Sequence, residues 1–221
     1  EFTRQETGLH FYWFRIDKHG GDSFRLFRQG RETNMEAGEK WQLSVIPADF
    51  TVPDFAPGAV MYQIFPDRFA RSGSCDLTYK LQPFWVHESP DELPEYRPDA
   101  HGEVRNNDFF GGNFAGIREK LPYLQELGVG VLYLNPIFMA WSNHRYDTAD
   151  YRRPDPMLGT EEDFRTLCDE AHARGMRVIL DGVFSHTGSN SVYFDAKHVF
   201  GHGAVSDPDS PYRRWYRFHR Y

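Results

Sequence analysis

Cysteine is nearly absent: Cys75 and Cys168 are the two in 221 residues. Two thiols cannot build the disulfide framework of a small secreted scaffold, and the Cys/His spacing of a zinc site is missing as well. Cys75 lies in a polar stretch, and Cys168 sits beside Leu167 on a predicted helix, where it reads as a core side chain. A reducing compartment, or indifference to redox state, follows. Long apolar runs are also missing. Segments such as 129–134 fall far short of the ~20 residues that a membrane span needs. Positive charge is not in excess either, since Lys+Arg 25 against Asp+Glu 32 leaves a net −7. An acidic chain matches nucleic acid poorly. Its one basic cluster, Arg213, Arg214, Arg217 and Arg220, interleaves with Trp215, Tyr216, Phe218 and Tyr221 without forming a long stripe. No Gly-rich phosphate loop and no serine elbow occurs. No signal peptide is visible from Glu1 onward; the true N-terminus is not in view, and a cytoplasmic location is expected rather than secretion. What is present is an ordinary globular composition, 40% hydrophobic and 26% charged, able to bury a sizeable core.

The texture changes along the chain. Strands are expected over residues 9–17 (LHFYWFRID), 24–28 (FRLFR) and 41–46 (WQLSVI), with turn chemistry at 19–22 and 36–40. Three such strands cannot bury two faces alone, so residues 1–50 read as the end of a β-sandwich. Pro47, Pro53 and Pro57 mark residues 47–58 as a linker. From Ala59 apolar runs recur at 59–65 (AVMYQIF), 129–134 (VGVLYL) and 177–180 (RVIL), the signature of strands buried on both faces. Helical spacing joins them. Phe114, Ile117, Leu121, Leu124 and Leu127 lead to Gly128, with a kink expected at Pro122. Phe164, Leu167, Cys168 and Ala171 lead to Gly175, opened by Thr160 and Asp163 as a capping box. The order β-α-β-α-β implies an α/β fold with a parallel sheet. Residues 71–108 form a polar insert with Pro83, Pro90, Pro94 and Pro98, too long for a plain connection; either it is functional or it packs on a neighbour. Residues 188–221 read as loops.

In parallel α/β units, polar residues just beyond a strand's C-terminal end face the site. Asp181 and His186 follow the third run, five positions apart, and could share a pocket; a capping Asp and a surface His are the plain alternative. After the second run come Asn143, His144, Arg145, Tyr146, Asp147, Asp150 and Tyr151. An aromatic ring there could stack on a sugar face while the flanking polar groups bind hydroxyls. A polar loop with incidental aromatics is the alternative.

Several segments carry a resemblance. Tyr62-Gln63-Ile64-Phe65-Pro66-Asp67-Arg68-Phe69, Phe110-Gly111-Gly112-Asn113-Phe114-Ala115-Gly116-Ile117 and Leu134-Asn135-Pro136-Ile137-Phe138 are the first three. Ser142-Asn143-His144-Arg145-Tyr146-Asp147-Thr148-Ala149-Asp150-Tyr151, Asp155-Pro156-Met157-Leu158-Gly159 and Leu180-Asp181-Gly182-Val183-Phe184-Ser185-His186 follow in order. Together they resemble the first three barrel strands and adjoining loops of the α-amylase family (glycoside hydrolase family 13). The match is strongest to its neopullulanase, cyclomaltodextrinase and maltogenic amylase group.

The resemblance implies a partial (β/α)₈ barrel over residues 51–187. A starch-binding-like sandwich end would precede it over 1–50, and the small domain inserted after barrel strand three would begin over 188–221. It implies hydrolysis of α-glucosidic bonds with retention, one carboxylate forming a glycosyl intermediate and a second serving as acid and base. Carried over by position, Tyr146 stacks on the sugar at the cleavage subsite, His144 lines that pocket, His186 hydrogen-bonds the sugar's hydroxyls, and Asp181 holds the catalytic floor. The family's catalytic carboxylates lie on strands four, five and seven. None is therefore assigned here, and the chain is expected to be a fragment without activity of its own. The expected partner is an α-glucan oligosaccharide, with no nucleic acid and no membrane; a homodimer of the whole enzyme is a further expectation. No cofactor is required. Many members bind structural calcium through an Asn where this chain has Ser185, and others through an Asn/Asp-rich loop where it reads Arg71-Ser72-Gly73-Ser74-Cys75-Asp76, so the expected ligands match poorly. A glucan transferase of the same family, and a catalytically silent partner subunit of a membrane transporter, are the alternatives.

Overall fold

A computed structural model describes residues 6–28, 32–33 and 38–218; residues 36–37 of the second expected turn, Arg220 and Tyr221 lie outside that range. The chain divides into two compact units, 1–54 and 55–221.

In the first unit, β1 (Gly8–Tyr12), β2 (Phe14–Asp17), β3 (Ser23–Leu26), β4 (Glu32–Thr33) and β5 (Trp41–Val45) form two antiparallel sheets, ordered β1-β5 and β2-β3-β4. The single strand expected over 9–17 is thus two strands that part at Trp13 and join different sheets. No Gly or Pro announces the break. Instead Trp13 stacks on Phe27 at 6.2 Å, while Tyr12 and Phe14 both pack against Trp41.

The second unit is organised around β6 (Val60–Ile64). A helical turn, α1 (Pro66–Phe69), and the short pair β7 (Trp85–Val86) and β8 (Asp108–Phe109) follow. Next come α2 (Phe114–Glu119), α3 (Leu121–Glu126) and β9 (Val129–Leu134). The antiparallel pair β10 (Phe138–Ala140) and β11 (Thr148–Pro154), then α4 (Glu161–Ala173) and β12 (Arg177–Leu180), complete it. β6, β9 and β12 are parallel, in the order β12-β9-β6. Their ends are level: Ile64 and Leu180 both pair with Leu134. Alternate residues Tyr62, Ile64, Leu132, Leu134, Val178 and Leu180 pack under Phe114, Ile117, Leu121, Leu124, Leu167 and Ala171. Burial of such side chains, at about 1.5–3 kcal/mol each, is what holds helices this short in place.

Pro122 breaks the first helix rather than kinking it. It becomes the second residue of α3, where a missing N–H costs nothing, and Lys120 joins α2 to α3. α4 begins with the expected box: Asp163 N–H donates to Thr160 Oγ1 (3.1 Å) and Thr160 N–H donates to Asp163 Oδ2 (2.8 Å). Among the described residues no helix is long and apolar enough to cross a membrane.

The insert packs inward. Lys80, fully buried, donates from Nζ to Asp155 Oδ2 (2.6 Å) and to the Ala140 carbonyl (2.7 Å). Burial alone would raise the Asp155 carboxyl, but Arg145 and Lys80 hold it below the ordinary carboxylate range.

Candidate functional site

The hydrogen-bond ladder continues one residue past the strand ends, with Asn135 N–H donating to the Ile64 carbonyl and Asp181 N–H to that of Leu134 (both 2.9 Å). This sets Asn135 and Asp181 side by side at the sheet's C-terminal edge, where Gln63 Nε2 donates to Asn135 Oδ1 at 2.8 Å.

The loop before β11 reaches the same edge by burying alternate residues. Asn143 is drawn inward: its Nδ2 donates to the Asp108 carbonyl (2.9 Å) and to Asp108 Oδ1 (3.0 Å). Arg145 is fully buried, donating from NH1 to the Asn143 carbonyl (2.9 Å) and pairing with Asp155 at 3.5 Å. Its φ is +61°, a left-handed conformation costing about 1–3 kcal/mol in a residue with a side chain. The two anchors leave His144 and Tyr146 to face outward. Tyr146 OH donates to Asp181 Oδ2 at 2.7 Å. That hydrogen bond, with burial and the nearby charge, pushes the phenol up to about 12, so it remains a neutral donor at any working pH. Burial and the carboxylate of Asp181 also raise the hydroxyl of Tyr133 on β9.

The imidazoles have fixed roles. Tyr146 N–H donates to His144 Nδ1 at 3.1 Å, and burial lowers the His144 pKa, leaving a neutral ring with its proton on Nε2. His186 Nε2 lies 3.0 Å from the Tyr146 carbonyl, which can only accept, so Nε2 donates there. His186 Nδ1 is 3.0 Å from Ser185 Oγ. Both ring nitrogens of His186 therefore have partners within the chain. Tyr151 staples this loop to β11, its hydroxyl donating to the His186 carbonyl (2.7 Å) and lying against that of Val183. Gly188 N–H donates to the Thr148 carbonyl (2.9 Å), and a Cβ at Gly188 would come 2.5 Å from the Asp147 carbonyl oxygen.

All four residues singled out in the sequence thus meet at one edge, His144 on Tyr146, Tyr146 on Asp181 and His186 on Tyr146. Sequence reasoning missed the supports Asn143, Arg145, Ser185 and, as a staple, Tyr151. The polar run from Asn143 to Asp147 contains two of them, but the partners of Asn143, Arg145 and Tyr151 lie 10 to 35 positions away, at Asp108, Asp155 and Val183, while Ser185 bonds to the adjacent His186.

The loop after β6 does not fit calcium. Asn113 Nδ2 donates to the Ser72 carbonyl (2.8 Å), so an amide NH₂ occupies the place where a cation would need oxygen. Asn113 Oδ1 is taken by the N–H groups of Gly116 and Ser72 (2.8 and 3.2 Å), and Asp76 is committed to Thr78.

Known proteins bring this geometry into a family. Residues 63–221 match the model described as Alpha amylase, catalytic domain. The amylopullulanase of Thermoanaerobacter thermohydrosulfuricus is 40% identical over 219 residues, covering 90% of this chain. The intracellular maltogenic amylase of Bacillus subtilis is 43% identical over 173 residues, covering 78%. The chain spans only 15% and 26% of those two proteins' lengths. Among solved structures, the type III pullulan hydrolase of Thermococcus kodakarensis superposes with a TM-score of 0.60 at 32% identity, over 95% of this chain and 35% of that one. The chain belongs to the α-amylase catalytic-domain family.

Proposed function

We propose that this chain carries one wall of the sugar-binding site of a retaining glycoside hydrolase that cleaves α-glucosidic bonds in maltodextrins, cyclodextrins or pullulan. The observation that carries this reading is the Tyr146–Asp181 hydrogen bond of 2.7 Å, at the C-terminal edge of a parallel sheet. The names of the amylopullulanase and maltogenic amylase relatives support the substrate class. Asp181 pins the phenol, so the Tyr146 ring offers a fixed face to a pyranose. Nε2–H of neutral His144 is a donor for a hydroxyl. His186 holds the Tyr146 carbonyl and reaches a sugar hydroxyl by exchanging one of its two internal bonds. Retention needs two carboxylates about 5–5.5 Å apart, one as nucleophile and one as acid/base. Asp181, committed to Tyr146, serves the floor; the covalent step falls to carboxylates on later barrel strands of the whole enzyme.

Steady-state kinetics of the whole enzyme on maltooligosaccharides test this. His186→Ala removes a contact that strengthens as the ring flattens, and should lower kcat/KM about a hundred- to a thousandfold, mostly in kcat. Tyr146→Ala should cost about 1 kcal/mol through lost stacking. Near-parental kinetics for His186→Ala, with folding checked by circular dichroism, would overturn the assignment.

A further inference from the structure

The insert grips the site loop through one buried carboxylate. Asp108, 1% exposed, accepts from Asn143 Nδ2 both at Oδ1 (3.0 Å) and at its own carbonyl (2.9 Å). Asn143 N–H also donates to the Asn106 carbonyl at 2.7 Å. These contacts seat the residue directly before His144 on the segment 106–108. The other oxygen of Asp108 meets charge. Oδ2 accepts from His87 Nε2 (3.1 Å) and from Glu95 N–H (3.0 Å), and Arg68 NH2 stands 3.6 Å away. Arg68 already donates from Nε to Asp67 at 2.9 Å, so His87 is both the nearer cation and the less divided one.

The protonation state of His87 follows from its neighbours. Its second nitrogen, Nδ1, lies 2.9 Å from Glu92 Oε2, and its ring stacks on Phe110 at 4.1 Å. An ionised carboxylate only accepts, so both contacts need a hydrogen on both nitrogens, and the ring is an imidazolium. The charged groups around it are Glu92 from the turn after β7, Asp108 on β8, and Arg68 with its partner Asp67 on α1. In a neutral ring, one nitrogen would present a lone pair to a carboxylate. Glu92, 45% exposed, turns away to water. Asp108 has no water to turn to; it keeps the N–H but loses the charge. Its nearest cation is then an arginine shared with Asp67, and a buried carboxylate without its own cation is costly.

We propose that His87 and Asp108 are positioning residues: protonated His87 holds the Asp108 carboxylate on Asn143, and release of that proton loosens the loop that presents His144 and Tyr146. On release the carboxylate turns toward Arg68 and withdraws Oδ1 from Asn143. That the loosened loop binds sugar less well rests on the function proposed above; the relay of hydrogen bonds does not.

Hydrogen exchange of the protein from about pH 5 to 9, corrected for the intrinsic rise of amide exchange with pH, reads the loop at residues 143–147. Exchange there should quicken about tenfold beyond the intrinsic rise as pH climbs through the His87 value, while the amides of α4 show no step. The hydrogen bonds to Glu92 and Asp108 place that value above 6.5. Burial moves His144 the other way, so its own titration falls below 6.5. His87→Gln should exchange fast throughout, without the step. Glu92→Gln, at an exposed position, should keep the step but move it to lower pH, and it carries the test if His87→Gln unfolds. In the whole enzyme KM for maltohexaose should rise about threefold across the same interval, and should be level in His87→Gln. A parent without the exchange step, a step that His87→Gln retains, or one that Glu92→Gln leaves in place would overturn the role of His87. A KM level across the step, in an enzyme that turns maltohexaose over, would overturn the positioning of the pocket. Absence of any turnover would overturn the proposed function instead, with the exchange result still deciding the relay.

Discussion

At the scale of single residues, the site is a chain of hydrogen bonds in which each donor is dictated by its acceptor. Asp181 can only accept, so Tyr146 donates; the Tyr146 carbonyl can only accept, so His186 Nε2 carries the proton. Ser185 then matters, because its hydroxyl stands 3.0 Å from the nitrogen left as acceptor. Position 185 holds no calcium-binding amide, and from the motif alone its replacement by Ala is expected to be mild. The geometry revises that expectation. Ser185→Ala should lower kcat/KM of the whole enzyme about fivefold, the worth of one hydrogen bond of about 1 kcal/mol, and mostly in kcat because the contact orients His186. Ser185→Thr should retain parental kinetics; unchanged kcat and KM for Ser185→Ala would show that the contact does not position His186. Asp181 and His186 are legible in the sequence because they follow an apolar run closely; His144 and Tyr146, farther from theirs, are legible through the segments that carry the family resemblance. Ser185 is not, because a serine beside a histidine declares nothing until the tautomer is known.

At the scale of elements, the site loop is held by charge buried in three segments distant in sequence: Lys80 of the insert, Arg145 of the loop and Asp155 before α4. Phe109 receives both cations on its ring, Lys80 Nζ at 4.5 Å and the Arg145 guanidinium at 5.6 Å. Removing one member leaves the others buried and uncompensated. Asp155→Asn should therefore cost about 3–5 kcal/mol in urea unfolding, read by tryptophan fluorescence. Because the Asp155 pKa is lowered on folding, that difference should be full above its unfolded value of 3.8 and fade as pH falls through the folded value. A cost below 1 kcal/mol at pH 7 would mean that the cluster contributes little. His87 fastens the other side of the insert, between Glu92 (2.9 Å) and Asp108 (3.1 Å). Burial works against the charged ring, but the hydrogen bonds to the two carboxylates outweigh it and raise the His87 pKa above 6.5. The sign is then fixed: His87 stabilises fully below pH 6.5, and the gain is lost as pH rises through the folded value. The melting temperatures of the parent and of His87→Gln should converge on the alkaline side, and a gap that widened there would refute the latch. None of this was legible. The parallel strands and the helices announce themselves by period, but a three-residue strand such as β10 has no period, and a proline-rich insert conceals its one buried lysine.

At the scale of the whole molecule, the parallel sheet has two edges. β6 and β12 each pair with β9 alone, so each carries an unpaired row of backbone groups among the described residues. The face turned away from the helices is partly bare as well: Met61 on β6 is 55% exposed. Elsewhere Phe184, just beyond β12, is 79% exposed. Exposed parallel edges beside apolar side chains are templates for pairing with another chain, and the net charge of −7 opposes that only weakly at physiological salt. The 221-residue chain by itself should thus self-associate as its concentration rises and melt in a broad, scan-rate-dependent transition. Sedimentation velocity across a concentration series should show a sedimentation coefficient that climbs with loading. Met61→Glu, which places charge on the bare face without touching the core beneath the helices, should shift that curve to higher concentration. A single monomeric species at every loading, with a sharp and reversible thermal transition, would show that the open edges are harmless, and Met61→Glu would then have nothing to change.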